Sequence, residues 1–297
     1  MAVLTSFSLS VDWFDSCSDA ELLCSILRWC DTNQGRYFRE GCPQSLIDPA
    51  LAHELAMLWA GEIVMRNNTV ELLVDSNAAV HRMHSQAGVA TNTVTITPWL
   101  SRVGRTSYGM NFFISFGKDA APLARIATVM VNVDPSNLEA AAPIPEHLVK
   151  PMRALAAMSS EAAVSAGLWA DITVPPGATG GPPAEAFVWR TAVRATDCDS
   201  LGHINNAKYP LLAAEARAIA AYTLPADADS LLKGPLAPPR VFVCDYLGQP
   251  RPFENIDVAV WSERGSTLHF QISAGTEDRE VVCTMSMTLN VTRTGSL

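Results

Sequence analysis

The segment from Asp197 to Tyr209 contains side chains whose types and spacing could perform acyl chemistry. Its residues are Asp197-Cys198-Asp199-Ser200-Leu201-Gly202-His203-Ile204-Asn205-Asn206-Ala207-Lys208-Tyr209. The carboxylate of Asp199 could attack a carbonyl carbon or activate a water molecule. A helix predicted to start near Asn206 would present unpaired backbone N–H groups and the positive end of its dipole beside that carboxylate. Such donors stabilise a developing oxyanion, so the segment predicts attack on a carbonyl such as that of a thioester.

The elements that must position this segment are a strand before it and a helix after it. A strand predicted over Ala186 to Ala195 leads into the turn through Gly202, and the helix covers Asn206 to Tyr222. Partial alternation of apolar and polar residues, with β-branched and aromatic enrichment, predicts antiparallel strands in both halves of the chain. These strands are Thr91 to Ile96, Thr106 to Phe116, Leu123 to Val133, Ile256 to Ser262, Ser266 to Ala274 and Val281 to Val291.

Two of these strand segments recur at one spacing. Gln271-Ile272-Ser273 follows Phe113-Ile114-Ser115 by 158 positions, and Leu289-Asn290-Val291 follows Val131-Asn132-Val133 by 158 as well. Two matches at one offset predict an internal duplication. A helix predicted over Leu22 to Glu40 would be the first-half counterpart of the helix after the motif.

Matching the two helices, with Ile26 against Tyr209, gives an offset of 183. The first half therefore carries about 25 extra residues, which we place in a helical insertion near 48–66. An Ala-rich helix after Pro143 and a Pro- and Gly-rich stretch up to Pro183 predict a linker. The expected organisation is a first domain over 1–134, a linker over 135–183 and a second domain over 184–297, in the α+β class.

Composition excludes several classes of protein. The formal net charge of −9 argues against a nucleic-acid partner, which needs clustered Lys and Arg. Seven cysteines without a CxxC pair indicate reduced thiols rather than a disulfide framework or a zinc site. No apolar stretch reaches the ~18 to 20 residues that span a bilayer, and the N-terminus has no signal-peptide pattern. We therefore expect a soluble protein of the cytoplasm.

The pattern R-x-x-D-x-D-x-x-G-H-x-N-N-x-x-Y, from Arg194 to Tyr209, resembles the signature of hotdog-fold thioesterases of the 4-hydroxybenzoyl-CoA thioesterase type. It is also similar to the catalytic stretch of plant acyl-ACP thioesterases, which carry two hotdog domains in one chain. Further matches are Leu27-Arg28-Trp29, Gly35-Arg36-Tyr37-Phe38, Val103-Gly104-Arg105-Thr106-Ser107 and Pro143-Ile144-Pro145-Glu146. The resemblance implies a double hotdog, in which two long helices are each wrapped by an antiparallel sheet and an acyl channel runs between the domains.

Position by position, the resemblance assigns the catalytic carboxylate to Asp199 and the group that polarises the thioester carbonyl to the backbone N–H near Asn206. His203 matches the motif histidine of the plant enzymes. Leu201 stands where those enzymes have an asparagine, and Gln249 stands where they have a glutamate, so Gln249 could position water but not act as a base. The acyl-CoA branch lacks both groups, and the chain is therefore expected to prefer acyl-CoA over acyl-ACP.

The first half has no copy of the motif. Its corresponding turn, Asp15 to Leu23, lacks both the Gly-His and the Asn-Asn pairs, which predicts a catalytically degenerate domain. That domain would instead supply the opposite wall of the channel. The residues expected there are Arg105, Thr106, Ser107 and Tyr108.

Structural roles compete with each of these assignments. Carboxylates before a helix often only cap it, and Asn205 and Asn206 are themselves good N-caps. For His203 a structural and a catalytic role stand about even, and Tyr209 would pack under the sheet while bordering the substrate site.

Other candidate binding residues have equally plain alternatives. His81 and His84 suggest a metal, but the sequence places no third ligand nearby. The arginines that could meet CoA phosphates are as well explained as solvated surface; they are Arg102, Arg105, Arg240 and Arg251.

The sequence thus predicts a thioester hydrolase that needs no cofactor and has one active site, comprising Asp199, Gly202, His203, Asn205, Asn206 and Gln249. A serine-triad hydrolase is disfavoured because no Gly-x-Ser-x-Gly elbow occurs. The alternatives are an acyl-ACP thioesterase and an acyl-thioester-binding protein without turnover, since fold alone does not fix function. Pairing of two chains into a homodimer is left open.

Overall fold

The computed structural model describes residues 4–10, 19–41, 50–55, 63–73, 93–116, 121–134, 136–178, 180–199, 202–225, 228–233, 239–263, 266–275 and 279–289. The chain divides into two compact units. Unit 1 comprises Met1–Cys17 and Ile26–Ile172, and unit 2 comprises Ser18–Ser25 and Thr173–Leu297. The boundary at Ile172 falls inside the segment predicted as a linker.

Unit 1 is built on an antiparallel sheet. In chain order its elements are β1 (Phe7–Ser10), α1 (Asp19–Arg36, whose first turns are counted with unit 2), β2 (Ile63–Leu72), β3 (Thr93–Val103), β4 (Ser107–Phe116), β5 (Ala121–Asp134), β6 (Asn137–Ala141) and α2 (Glu146–Ser165). The strands are ordered β1-β3-β4-β5-β2, and β6 pairs with β5. A π-helical turn, Tyr37–Gly41, follows α1 directly.

Helix α2 packs along β3 of the unit 1 sheet. The buried hydroxyl of Ser159 donates to the carbonyl of Leu100 at 2.9 Å, and Trp99 packs against Ala163 and edge-on against Trp169. Nearly every residue of β4 is buried, which is typical of a strand covered on both faces. The helical part of segment 135–183 is therefore packed onto a sheet.

Unit 2 is also built on an antiparallel sheet. Its elements are β7 (Phe187–Ala192), α3 (Tyr209–Thr223), α4 (Ser230–Lys233), β8 (Pro239–Tyr246), β9 (Asn255–Ser262), β10 (Thr267–Ala274) and β11 (Glu280–Leu289). The antiparallel strands are ordered β8-β11-β10-β9-β7. When the five strands of each unit are numbered one to five along the chain, with β6 left out, both sheets have the order one, three, four, five, two. The class is α+β, as predicted.

Helix α3 forms because its apolar residues recur at helical spacing. Leu212, Ala213, Ala216 and Ala220 are buried on one face, and the small alanines let the helix lie close to β9 and β7. Arg217 is also buried, and its guanidinium donates to the carbonyl of Leu231 in α4. The cationic side chain therefore ties α3 to α4 at the far end from the motif.

The predicted helices and strands are largely confirmed, but one prediction is partly wrong and no strand was predicted at β1, β2, β6 or β8. The helical insertion expected near 48–66 is helical over 50–55, but Ile63 to Arg66 belong to strand β2. The extra length of the first half is also not confined there. Residues 73–92 separate β2 from β3, whereas only residues 247–254 separate β8 from β9. Much of the additional chain thus follows β2.

The register of the strands corrects one of the two predicted offsets. A β-bulge lies between Ile114 and Ser115 in the β4–β5 pair, and another between Ile272 and Ser273 in the β10–β11 pair, 158 positions later. Phe113 pairs with Arg125, while Gln271 pairs with Thr284, which lies 159 positions after Arg125. The offset of 158 therefore fits the match between β4 and β10. The match between β5 and β11 needs an offset of 159. A one-residue shift matters because it moves side chains to the other face of a sheet.

Several predicted features lie outside the described residues. They are Ser200 and Leu201, residues 11–18 of the degenerate turn, residues 81–84 with the two histidines, and the end of the last strand beyond Leu289.

Candidate functional site

The candidate site begins at a tight turn that joins β7 to α3. Cys198 and Ile204 form an isolated antiparallel bridge, and the N–H of Asp199 donates to the carbonyl of His203 at 3.0 Å. The N–H of Gly202 donates back to the carbonyl of Asp199 at 3.1 Å. Gly202 has a φ of 78°, a conformation that glycine adopts without steric cost. The turn therefore fixes Asp199 and His203 side by side.

Asp199 and His203 form the central pair of this turn. Nδ1 of His203 lies 3.4 Å from Oδ2 of Asp199, and the two side chains are 15% and 25% exposed for His203 and Asp199 respectively. The same Nδ1 lies 3.4 Å from the carbonyl of Ile204. The other ring nitrogen, Nε2, is buried and has no hydrogen-bond partner within the described part of the chain. Within those residues, this nitrogen is therefore an unsatisfied polar atom of the turn.

The start of the helix after the turn is capped as predicted for Asn205. Its side-chain oxygen accepts a hydrogen bond from the N–H of Ala207 at 2.9 Å, at the beginning of the 3₁₀ turn Asn206–Lys208 that leads into α3. Among the described residues, the N–H of Asn206 donates to no acceptor. An unused donor at a capped helix start is what binding of an oxyanion requires.

Tyr246 on β8 contacts the start of this helix. Its hydroxyl donates to the carbonyl of Asn206 at 3.2 Å, and its ring packs edge-on against Tyr209 with centroids 5.2 Å apart. Tyr209 is almost fully buried, as expected for a residue under the sheet. Sequence reasoning did not assign a role to Tyr246, because the contact joins residues 40 positions apart.

The loop after β8 brings Gln249 to the same end of unit 2. The N–H groups of Leu247 and Gly248 both donate to the carbonyl of Val282, and the carbonyl of Pro250 accepts from the N–H of Ile204 at 3.1 Å. Gln249 is half-buried between these anchored neighbours. The structure thus brings together the backbone beside Gln249 and the backbone beside His203.

Asp197 has a structural role in this arrangement. Nζ of Lys208 lies 3.1 Å from its Oδ1, Nε of Arg194 lies 3.8 Å from its Oδ2, and its carbonyl accepts from the N–H of Asn205. Arg194 in turn pairs with Glu215 of α3 at 3.0 Å. These ion pairs tie the end of β7 to the start of α3. The sequence signal for these ion pairs was the presence of Arg194 and Lys208 within the motif.

Two side chains of the site, Cys198 and Tyr209, have a raised pKa. Burial, followed by the charges of Asp199 and Asp197, raises the pKa of Cys198. The thiol is therefore protonated at neutral pH and a poor nucleophile, which leaves the carboxylate as the reactive group of the turn. Burial also raises the pKa of Tyr209 well above its usual range, so its phenol is neutral.

The predicted wall residues Arg105 to Tyr108 lie in unit 1, at the turn from β3 to β4. The backbone there is well anchored: the N–H of Gly104 donates to Ser107, and the carbonyls of Arg105 and Thr106 accept from Ile144 and Asn132. Tyr108 is buried, and within the described residues its hydroxyl has no partner. The part of these residues in an acyl channel stays a prediction.

The remaining sequence predictions concern surface charges, metals and membranes. The four arginines considered for CoA phosphates are all exposed; they are Arg102, Arg105, Arg240 and Arg251. In the described ranges, no cluster of three or more His, Cys, Asp or Glu side chains could hold a metal ion. Over the same ranges, no helix has the length and apolar character needed to cross a bilayer.

Comparison of the whole chain with solved structures finds several thioesterases of similar fold. An oleoyl thioesterase from Lactobacillus plantarum superposes with a TM-score of 0.61 at 15% identity, over 97% of this chain and 96% of that one. The 12:0-ACP thioesterase from Umbellularia californica gives 0.61 at 13%, over 97% of both chains. An acyl-ACP thioesterase from Bacteroides thetaiotaomicron gives 0.56 at 13%, over 96% and 97%.

No protein-family model and no curated protein sequence matches the chain. At these identities the structural likeness establishes the fold alone. The chain therefore has the hotdog fold of these thioesterases.

Proposed function

We propose that the protein hydrolyses acyl thioesters at the turn between β7 and α3, with Asp199 as general base or nucleophile. The observation that carries the proposal is the pairing of Asp199 with His203 in the turn that leads into Asn206, whose N–H has no acceptor among the described residues. A carbonyl bound at that N–H would have its developing oxyanion stabilised there while Asp199 attacks the carbon or activates water. In this proposal His203 acts on the substrate through Nε2, Gly202 and Asn205 shape the turn, and Gln249 positions water.

The proposed substrate is an acyl-CoA, and the product a free acid with CoA. Gln249 supports this choice because a glutamine cannot serve as the second base that the acyl-ACP enzymes carry at this position. The exposed arginines supply guanidinium groups suited to phosphate. An acyl-ACP substrate is the second candidate, favoured by the descriptions of the structures from Umbellularia californica and Bacteroides thetaiotaomicron.

We further propose that the chain is an internally duplicated double hotdog with one working site. The shared strand order and the two bulges at matching positions support the duplication. Unit 1 would then be the degenerate copy, with Arg105 to Tyr108 as a channel wall. A cytosolic location and a homodimer belong to the same proposal, the first supported by the five free cysteines in the described ranges.

The test is an assay of free-thiol release from a panel of acyl-CoAs and acyl-ACPs. The wild type is compared with Asp199→Asn and Asp199→Ala, and with Asp171→Asn as a matched control, since Asp171 is exposed and distant in sequence from the motif. We expect the Asp199 variants to lose at least about 100-fold in kcat/KM, the usual range for a general base, and the control to keep its activity.

The outcomes separate the candidate functions. Turnover of one carrier class over the other decides between CoA and ACP. Tight binding without turnover in the wild type would favour an acyl-thioester-binding protein. Unchanged kcat/KM in Asp199→Asn would remove Asp199 from the mechanism.

A further inference from the structure

Two buried thiols lie on neighbouring strands beneath the candidate site. Cys244 on β8 and Cys283 on β11 place their sulfur atoms 3.3 Å apart, and both side chains are fully buried. Both cysteines are free, since a disulfide bond measures about 2.05 Å. Joining them would need the sulfurs to approach by about 1.2 Å, from 3.3 Å to that bond length. The pair is therefore close to bonding distance without being bonded.

The strand register shows what opposes and what favours a bond between the two sulfur atoms. Cys283 pairs with Tyr246, and Cys244 pairs with Met285, so the two cysteines are diagonal neighbours on one face of the sheet. Diagonal neighbours lie farther apart than directly opposed residues, which would leave a disulfide strained. A bulge next to Cys283 leaves Val282 without a partner on β10, so the β10–β11 ladder is interrupted beside this cysteine, while the Val282 carbonyl still accepts from Leu247 and Gly248. Strained disulfides are readily reduced, as reversible ones must be.

The pair is linked to the candidate site through Tyr246. This residue lies directly across from Cys283 and two positions after Cys244. Its hydroxyl holds the carbonyl of Asn206, and its ring supports Tyr209. Closing the pair would draw the ends of β8 and β11 together and move Tyr246, and with it the start of α3.

We propose that Cys244 and Cys283 are a reversible disulfide site, closed by peroxide and opened by dithiols, that acts on the candidate site by displacing Tyr246. In the first step the Cys283 or Cys244 thiolate attacks hydrogen peroxide, forming a sulfenic acid and releasing hydroxide, which takes up the thiol proton as water. The second thiol then displaces the hydroxyl group as a second water. Two thiols thereby lose two electrons and two protons, and one peroxide is reduced to two waters.

Burial sets the rate of this reaction. Desolvation and the neighbouring Cys244 raise the pKa of Cys283 well above its usual range. Because the thiolate is the reactive form, closure is slow at neutral pH and faster as the pH rises. Slow closure fits a response to sustained oxidation in a reducing compartment, where disulfides are typically transient.

The test maps thiols after oxidation. The full-length protein is treated with hydrogen peroxide at pH 7 and pH 9, unfolded in acid, alkylated and digested, and the peptides are identified by mass spectrometry. We expect one linked pair of peptides carrying Cys244 and Cys283, lost on treatment with dithiothreitol and formed faster at pH 9. Cys244→Ser and Cys244→Ala should both abolish it, and Cys30→Ala, which alters another buried cysteine, should not.

A measurement of activity after oxidation rests on the proposed function, whereas the peptide mapping does not. Oxidation should lower kcat/KM of the wild type by at least about tenfold, since a misplacement of about 1 Å near a reacting group can cost ~100-fold. The loss should be reversed by dithiothreitol and be absent from Cys244→Ala. A protein without thioesterase activity still gives the peptide map.

Three results would overturn the proposal. One is recovery of Cys244 and Cys283 as separate alkylated or over-oxidised peptides. Another is a linked pair that involves Cys198 instead. The third is a closed Cys244–Cys283 pair with unchanged kcat/KM in an active enzyme, which would remove the coupling through Tyr246.

Discussion

The imidazole Nδ1 of His203 lies 3.4 Å from the carboxylate Oδ2 of Asp199, and the backbone N–H of Asp199 donates to the carbonyl of His203. Two residues four positions apart thus contact each other through both side chain and backbone. The relationship is local to one turn, and the second ring nitrogen of His203 is buried with no hydrogen-bond partner among the described residues.

His203→Gln tests whether that nitrogen serves a substrate. A glutamine amide can replace one ring nitrogen in a hydrogen bond but cannot exchange a proton near neutral pH. We expect kcat to fall by about 10- to 100-fold, at the lower end of general acid–base effects, with the melting temperature almost unchanged. His147→Gln, in which an exposed histidine is altered, is the control. Equal kcat in the two variants would leave His203 a purely structural residue.

Lys208→Met tests the ion pair with Asp197. Both side chains are largely buried, at 17% and 14% exposure, so removing the cation leaves a poorly solvated carboxylate. We expect a loss of about 1–3 kcal/mol in the free energy of unfolding, measured by urea denaturation, because breaking a buried pair costs more than breaking an exposed one. Glu40→Gln breaks the exposed pair with Arg36, leaves Arg36 over the Phe7 ring, and should cost less than about 1 kcal/mol. A loss no larger than this control would contradict the positioning role of the pair.

Tyr246→Phe removes the hydrogen bond to the Asn206 carbonyl and keeps the aromatic contact with Tyr209. We expect a loss of about 0.5–1.5 kcal/mol in unfolding free energy, the usual value of one such bond. If the helix start binds the thioester carbonyl, kcat should fall with little change in KM. Tyr222→Phe, at 90% exposure, should change neither quantity. Wild-type kinetics in Tyr246→Phe would show that the helix start holds its position without this bond.

His269 should make the protein less stable in mild acid. The residue is buried, its Nδ1 lies 3.0 Å from the Ser286 hydroxyl, and burial lowers its pKa, with Glu263 opposing part of the effect. Since the unfolded chain then binds a proton more readily, stability is fully present above the ordinary pKa of 6.5 and is lost as the pH falls below it.

The measurement for His269 is the difference in unfolding free energy between pH 7.5 and pH 5.5. We expect a smaller difference in His269→Asn than in the wild type. Asparagine suits the site, because Asn111 holds the corresponding register position opposite Trp99 as His269 does opposite Trp261. An identical pH dependence in the two proteins would mean that His269 does not titrate differently on folding.

Gly248→Ala tests how tightly the loop that carries Gln249 is packed. An added Cβ would lie 2.8 Å from a methyl carbon of Val282, too close for an ordinary contact. We expect a loss of about 1–3 kcal/mol in unfolding free energy, typical of overpacking, and partial recovery in the double variant with Val282→Ala. Gly177→Ala is the matched control, since nothing lies within 4 Å of its added Cβ. If Gly248→Ala matched this control, the loop would be free to move away from β11.

Local patterns explain why much of the fold was predictable. The helix from Asn206 and the strand before the motif follow from side-chain periodicity, capping and turn residues within a few positions of one another. The helical insertion near 48–66 was partly wrong because Ile63, Val64 and Met65 form a short apolar run, which suits either a helix or a strand. The pairing of Ile63, Val64 and Met65 with β5 decides for the strand, and that pairing joins residues 65 to 69 positions apart.

The sequence by itself determined the turn of Asp199, Gly202 and His203, because those contacts span five residues and depend on a glycine at positive φ. Only the tertiary structure decided what surrounds the turn: the hydroxyl of Tyr246 on Asn206, the carbonyl of Pro250 on Ile204, and the thiols of Cys244 and Cys283 beneath them. The physical reason is strand register. A shift of one residue turns each side chain to the opposite face, and register is set by pairing and bulges across the whole sheet.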